Sequence, residues 1–298
     1  MSAKPFIKWV GGKSQLISQL EQKLPIDFDS WKDVTYIEPF VGGGAMLFHM
    51  LQNHPNITHA VINDININLI TCYRVIRDNP QELITALTAI QDEYYALPDE
   101  DARRAFFLER RSEYNRHEGN PIRNTVLFFF LNRTCFNGLY RVNKKGAYNV
   151  PFGRYNHPTI CDAQTILEDS ALLQRVEILD GDYQQTLQYA VAPTLFYFDP
   201  PYRPLDATSS FNDYNAGGFG DTQQLRLRDF CIKVNACGHH FIQSNADCSA
   251  RNPEDLFFER EYANFHISRV LASRNINSNP EKRGQLSELL IRNFNNPE

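Results

Sequence analysis

The run Asp199-Pro200-Pro201-Tyr202 gathers a carboxylate, a carbonyl of restricted direction and a flat aromatic ring within four residues. It follows the apolar stretch Thr194-Leu195-Phe196-Tyr197-Phe198, so a buried strand is expected to end here in a rigid turn. Asp199 is then an ionised acceptor at the carboxyl end of a strand, where open α/β sheets keep their ligand crevices. Pro201 confines Pro200 to extended geometry and so directs the Pro200 carbonyl. Two acceptors side by side, with an aromatic beside them, suit a planar amino group such as that of a nucleobase. A proline-ended strand whose Asp merely caps a turn is the other reading of these four residues.

A second constellation bears on that choice. Val34 to Glu38 reads as a strand, followed by Pro39-Phe40-Val41-Gly42-Gly43-Gly44 and the apolar start of a helix. Glycines between strand and helix let backbone approach a ligand, with a helix N-terminus behind them. A further strand, Ala60 to Asp64, ends in an acid placed to bind ribose hydroxyls. A dinucleotide would also fit, but the loop lacks the G-x-G-x-x-G spacing, and Glu38 would repel a pyrophosphate. Glu38 suits a cation. S-adenosylmethionine carries a sulfonium, an ammonium and a ribose but no phosphate, so the combination favours that cofactor. Near the start, Trp9-Val10-Gly11-Gly12-Lys13 precedes a helical pattern of Leu16, Ile17, Leu20 and Leu24. Donors, dipole and ammonium would converge there on an anion such as an amino-acid carboxylate, with Trp9 as a stacking wall. A solvent lysine beside a core tryptophan explains the same letters.

At 298 residues the chain has room for one large α/β domain and a smaller one. Its net charge of −5 is unevenly spread. Residues 103 to 157 hold eleven Lys or Arg against three Glu, a local +8 that leaves −13 on the remainder. A basic insert in an acidic body is the footprint of a phosphate-binding surface, although Arg103, Arg104, Arg110 and Arg111 also fit a solvated helical face with Glu109 and Glu113. The six cysteines show no C-x-x-C pairing and read as reduced packing residues, and no zinc site is expected. With no apolar run of membrane length and no signal-peptide core after Met1, a cytoplasmic protein is expected, in a bacterial cytosol or nucleoid or encoded by a phage.

Periodicity places helices at about 66–77 and 80–97, the second burying Leu83, Ile84, Leu87, Ile90 and Tyr94, and a buried helical run at Leu127 to Leu131. From Asn132 to Tyr155 the periodicity gives way to aromatic, basic, turn-rich text in which Asn143-Lys144-Lys145-Gly146 looks like a hairpin tip. Asn and Arg read adenine and guanine bidentately, and aromatics wedge into base stacks. Strands resume at Val176 to Leu179, before Asp180-Gly181-Asp182, then at 194–198, 239–243 and 288–294.

Phe6 to Lys13, the Glu38-Pro39-Phe40 glycine loop, Asp64, Asn137-Gly138-Leu139-Tyr140-Arg141, Asn149 to Tyr155 and Asp199 to Tyr202 together resemble the Dam-type DNA adenine methyltransferases. The likeness covers roughly residues 5 to 294, in the alpha-group order of cofactor motifs, target-recognition insert and catalytic motif, and looks closest to GATC-methylating members. It implies a Rossmann-like methyltransferase fold: an open, mostly parallel twisted sheet with helices on both faces. Residues 1–77 and 166–298 would form the catalytic domain, and 78–165 an inserted, mainly helical recognition domain carrying a β-hairpin.

By the same resemblance Trp9 and Lys13 contact the methionine end of S-adenosylmethionine, and Glu38, Phe40 and Gly42 line the loop beneath it. Asp64 holds the ribose, and Asp182 approaches the adenine from a Gly-Asp-aromatic motif whose aromatic is here Tyr183. Asp199, Pro200, Pro201 and Tyr202 form the catalytic turn, Asp199 also facing the cofactor. Lys8, Phe136, Asn137, Leu139, Arg141, Pro151, Arg154 and Tyr155 match positions that contact double-stranded DNA. The implied reaction is methylation of an adenine amino group, with S-adenosylhomocysteine as product and no metal. The target base flips out, Tyr202 stacks on it, and Phe136 fills the gap. A monomer is expected, accompanied in some systems by a restriction endonuclease without stable complex. Cytosine-N4 methylation, a dinucleotide-dependent oxidoreductase and a non-catalytic DNA-binding module are the competing readings.

Overall fold

The computed structural model describes residues 3–13, 16–191, 193–204, 219–273 and 285–296. Seven strands form one sheet: β1 (Val34–Glu38), β2 (Ile57–Asp64), β3 (Val176–Asp180), β4 (Thr194–Phe198), β5 (His240–Ala246), β6 (His266–Ser273) and β7 (Gln285–Arg292). Their order is β3-β2-β1-β4-β5-β7-β6. β1 runs parallel to β2 and β4, and β4 parallel to β5. β7 is antiparallel to both β5 and β6. This is the mostly parallel α/β sheet expected. β1 and β4 are buried along their whole length, as continuous apolar runs in a sheet covered on both faces must be.

Ten helices accompany the sheet among the described residues: α1 (Ile17–Glu21), α2 (Ala45–Asn53), α3 (Ile67–Asp78), α4 (Pro80–Tyr95), α5 (Glu100–Arg116), α6 (Pro121–Thr134), α7 (Ala163–Leu173), α8 (Asp221–Ala236), α9 (Cys248–Arg251) and α10 (Phe257–Glu261). Local chemistry sets their starts. Proline opens α4 and α6, where its missing N–H costs nothing. Asn66, Asp99, Asn120 and Asp162 cap α3, α5, α6 and α7 by accepting backbone N–H groups of the first turn.

Two compact units divide the chain. The first comprises residues 1–12, 42–53 and 64–181, the second 13–41, 54–63 and 182–298. The stretch expected as an insert, 78–165, lies inside the first. There Phe6 stacks on Phe129 at 5.4 Å, and Tyr94, Phe106 and Phe107 crowd Phe130. In the second unit Phe196, Phe198, Phe230 and Phe241 form the aromatic core, each worth about 1.5–3 kcal/mol of burial.

The expected hairpin is present in the first unit. Val142 and Tyr148 bridge antiparallel, and the Asn143 side chain accepts from the backbone of Lys145 and Ala147 to shape the tip. The helix expected to carry Leu16, Ile17, Leu20 and Leu24 appears as α1, Ile17–Glu21, and residues 14 and 15, directly after Lys13, lie outside the described residues.

The glycine loop is held by packing as well as by conformation. Tyr73 of α3 donates its hydroxyl to the Gly42 carbonyl at 2.9 Å. Gly44 has φ +74°, and a Cβ there would stand 2.4 Å from the Tyr73 oxygen. Gly44→Ala should therefore cost about 1–3 kcal/mol in urea denaturation. Combined with Tyr73→Phe, which removes the colliding atom, the loss should be smaller than the sum of the two single losses.

Candidate active site

β1 lies beside β4 at the point where the sheet changes direction, β2 and β3 continuing on one side and β5 on the other. Ligand crevices form outside the carboxyl ends of strands at such switch points. β1 delivers Glu38 there and β4 delivers Asp199.

The Asp199 turn is locked from below. Gln224 of α8 donates to the Pro201 carbonyl at 3.0 Å, Asn245 donates to Gln224 at 3.1 Å, and the Asn245 oxygen receives the Arg203 N–H at 3.1 Å. Gln224 and Asn245 are fully buried, so this pair has no competing water. Among the described residues nothing donates to the Pro200 carbonyl. One oxygen of Asp199 accepts from Ser244 of β5 at 3.0 Å and faces the Lys13 ammonium at 3.2 Å. Burial raises the Asp199 carboxyl above the usual range, and Lys13 opposes the rise. Tyr202 donates its hydroxyl to Glu288 of β7 at 2.6 Å, and the Lys13 ammonium lies 4.2 Å from the Tyr202 ring centre and 3.5 Å from Glu288.

Glu38 is 2% exposed and accepts the Tyr36 hydroxyl at 2.7 Å. Burial pushes it up to about 8, against that hydrogen bond, with Asp199 adding to the rise. The desolvated carboxyl is thus mostly neutral near pH 7 and would gain from a cationic guest. Phe40 packs its ring 4.9 Å from Tyr183 and 5.9 Å from Phe219, an open aromatic corner. Asp182 caps the turn that follows it through Gln184 and pairs with Arg226 at 2.7 Å. The hydroxyl by which Tyr183 differs from phenylalanine is buried, with the Gln184 side chain beside it. In the first unit Asp64 accepts the N–H of Gly42 at 3.1 Å and of Asn66 at 2.9 Å, bracing the glycine loop against the start of α3. Trp9 stacks on Tyr140 at 5.4 Å, and a Cβ on Gly43 would stand 2.9 Å from the Trp9 Cβ. Trp9 therefore supports the loop from beneath.

The residues expected to meet DNA lie together in the first unit. Asn132, buried at the end of α6, accepts the Lys8 N–H and donates to the carbonyls of Lys8 and Gly138, each at 2.9 Å. The Lys8 ammonium then lies over the Tyr155 ring at 5.6 Å, while Tyr155 is anchored by its carbonyl to Tyr94. Phe136 is 51% exposed, and the Pro151 carbonyl fixes its backbone. Asn137 and Arg154 both adopt left-handed backbone, φ 55° and 61°, a strain of the kind that clusters at functional sites. Leu139 turns its carbonyl to the Tyr148 hydroxyl. Arg141 is exposed and leans on Asn149, bonding its side-chain oxygen at 2.8 Å and its carbonyl at 3.3 Å.

Ser244, Gln224, Asn245, Glu288 and Asn132 escaped the sequence reading. The polar run Gln243-Ser244-Asn245 ending an apolar strand, and the single acid in Leu286-Ser287-Glu288-Leu289-Leu290, were the available signals.

The neutral Glu38 has a measurable consequence. Its carboxyl titrates near the ordinary 4.5 when unfolded and at about 8 when folded. Its contribution to stability is thus complete below about pH 4.5 and is lost as pH rises toward 8, at up to about 1.4 kcal/mol per pH unit. Glu38→Gln should flatten that part of the stability–pH curve relative to the parent chain, as read by urea denaturation between pH 5 and 9.

Comparison with known proteins shows the family of the chain. The family model for D12 class N6 adenine-specific DNA methyltransferases matches residues 9–276. A type II methyltransferase of Methanocaldococcus jannaschii, M.MjaIII, is 42% identical over 99% of this chain and 100% of its own length. A type II methyltransferase of Lactococcus lactis, M1.LlaDCHI, is 35% identical, covering 99% of this chain and 97% of the relative. The DNA adenine methylase of Haemophilus influenzae is 30% identical, covering 96% and 92%. The chain belongs to the D12 class of N6 adenine-specific DNA methyltransferases.

Proposed function

We propose that this methyltransferase modifies the adenine of GATC in duplex DNA, flipping the base out and using S-adenosylmethionine as donor. The observation that carries the reading is the locked turn at the switch point. The Asp199 carboxylate and the Pro200 carbonyl, to which nothing donates among the described residues, stand side by side on that turn, which Tyr202 closes. The adenine amino nitrogen is a poor nucleophile because its lone pair is delocalised into the ring. Asp199 and Pro200 each accept one of its hydrogens, favouring a pyramidal nitrogen with its lone pair freed for attack. Tyr202 stacks on the extruded base and offsets part of the few kcal/mol that flipping costs. After transfer the charged amine is acidic, and Asp199 or water takes its proton.

When bound, the cofactor supplies an electrophilic methyl group on a sulfonium. Glu38 presents a carboxylate toward its positive charge, Lys13 and Trp9 serve its methionine end, Asp64 its ribose hydroxyls, and Phe40 and Asp182 its adenine. The buried, raised carboxyl of Glu38 supports this assignment, since a cation repays its desolvation. The scheme calls for no metal. Residues 1–77 and 166–298 act as catalytic domain and 78–165 as recognition domain, in which Phe136 fills the vacated stack and Lys8, Asn137, Leu139, Arg141, Pro151, Arg154 and Tyr155 contact DNA. The word GATC rests on the likeness of this insert to GATC-methylating enzymes. Type II relatives support a companion restriction endonuclease acting on the same site without stable complex. We place the enzyme in the cytoplasm as a monomer.

Incubation with methyl-labelled S-adenosylmethionine and a panel of duplexes, followed by mapping of the modified base, tests the whole reading. Label should appear on adenine N6 within GATC, and Asp199→Ala should lose at least about 100-fold in single-turnover rate. Label on cytosine, or an Asp199→Ala rate near that of the parent, would remove the proposed mechanism. On the same panel Arg141→Ala should lose about 1–3 kcal/mol of discrimination at one guanine position. Lys144→Ala should instead weaken all duplexes alike and flatten the salt dependence. If Arg141→Ala slows every duplex equally, Arg141 braces the hairpin through Asn149 and reads no base.

A further inference from the structure

We propose that Glu288 is a positioning residue for methyl transfer: it anchors the Tyr202 ring and draws the Lys13 ammonium away from Asp199. The inference rests on the reading of Asp199 to Tyr202 as the catalytic turn. Glu288 projects from β7, where its backbone is paired to Ala246 of β5 on one side and Val270 of β6 on the other. That strand is pinned on both edges, so the carboxylate is held on a rigid element. A single oxygen, Oε2, receives the Tyr202 hydroxyl at 2.6 Å and stands 3.5 Å from Lys13 Nζ.

Two consequences follow from that shared oxygen. The first is geometric. Tyr202 leaves the turn on a side chain with two free torsions, and tethering the hydroxyl at its far end holds in place the ring on which a base must stack. The second is electrostatic. Lys13 Nζ is 3.2 Å from Asp199 and lies 4.2 Å from the Tyr202 ring centre, the two contacts that the target amino group needs. An ammonium resting there competes with substrate. Glu288 gives it a second carboxylate, so that Lys13 can stay paired while Asp199 turns to the incoming amine. With Glu288 neutral, Lys13 closes on Asp199 alone.

Among the described residues the groups facing this oxygen are few. Tyr202 and Asp199 come from the turn, Lys13 from the segment before α1, and Tyr197 from β4, with Glu38 and Tyr36 of β1 behind Asp199. The negative charge of Glu288 raises the Asp199 carboxyl, whereas Lys13 lowers it. Removing the Glu288 charge strips away the first effect and strengthens the second. Both move the ionisation of Asp199 to lower pH.

Glu288→Gln keeps the shape and an acceptor for Tyr202 but loses the charge. At saturating duplex and S-adenosylmethionine its single-turnover rate should fall roughly tenfold or more, as misplacement of reacting groups does. The dissociation constants of both ligands should stay within about twofold, and the acid limb of the pH–rate profile should move to lower pH. Glu288→Asp, which restores the charge, should recover part of the rate. A Glu288→Gln enzyme with the parental rate and an unmoved acid limb overturns the proposal. Should that variant fail to fold, Tyr202→Phe cuts the same hydrogen bond from the other end, and a parental rate there overturns the proposal equally. Asp199→Ala separates the two levels of inference. If it stays active, the catalytic turn itself is misassigned; if it is dead while Glu288→Gln is parental, only the role of Glu288 falls.

Discussion

Desolvated carboxyl groups around the sheet's switch point govern this molecule. Glu38, Asp199 and Glu288 stand on β1, on the turn after β4 and on β7, and Lys13 is the ammonium that pairs with two of them. Desolvating carboxylates without full compensation is unfavourable, and the chain meets that cost in distinct ways. Glu38 keeps its proton and leans on Tyr36. Asp199 shares Lys13 and borrows the Ser244 hydroxyl. A site built with this surplus is incomplete by itself and gains most from positively charged or hydrogen-donating guests. An amino group on a base is such a guest, and so is a sulfonium.

The surrounding fold makes that arrangement tolerable. Gln224 and Asn245 form a dry hydrogen-bonded pair that holds the backbone of the turn from Pro201 to Arg203. Arg203 continues the bracing outward by bonding Asp221 and Asp255. Asp199 and its neighbours therefore sit on backbone that has little freedom to relax toward a less costly geometry, which is what preorganisation requires of a site.

Contiguous chemistry was legible in the sequence. The strand-turn Thr194 to Tyr202, the glycine loop after β1, Asp64 closing β2 and the Asn143 hairpin tip each carry their meaning in neighbouring residues, and the structure has each of these elements where it was expected. What was not legible depends on chain segments that meet only after folding. Nothing next to Lys13 in the sequence announces that its ammonium pairs with Asp199 and Glu288, far along the chain. Ser244, Glu288 and Asn132 are unremarkable polar letters until their partners are known. β6 was missed because an edge strand in which Arg269 and Leu271 are both exposed lacks the apolar run by which buried strands are recognised.

Asn132 spends its whole amide on backbone, joining Lys8 to Gly138 through three hydrogen bonds. The segment carrying Lys8 and the loop carrying Phe136, Asn137 and Leu139 are thereby one mechanical part. If this part meets DNA as proposed, its surface does not score base pairs independently: a mismatch that pushes the loop aside also withdraws Lys8, so its penalty spreads to positions that are correctly matched. A first mismatch then costs more than its own contact, and two wrong base pairs together cost less than twice one, because the first has already dislodged the shared part.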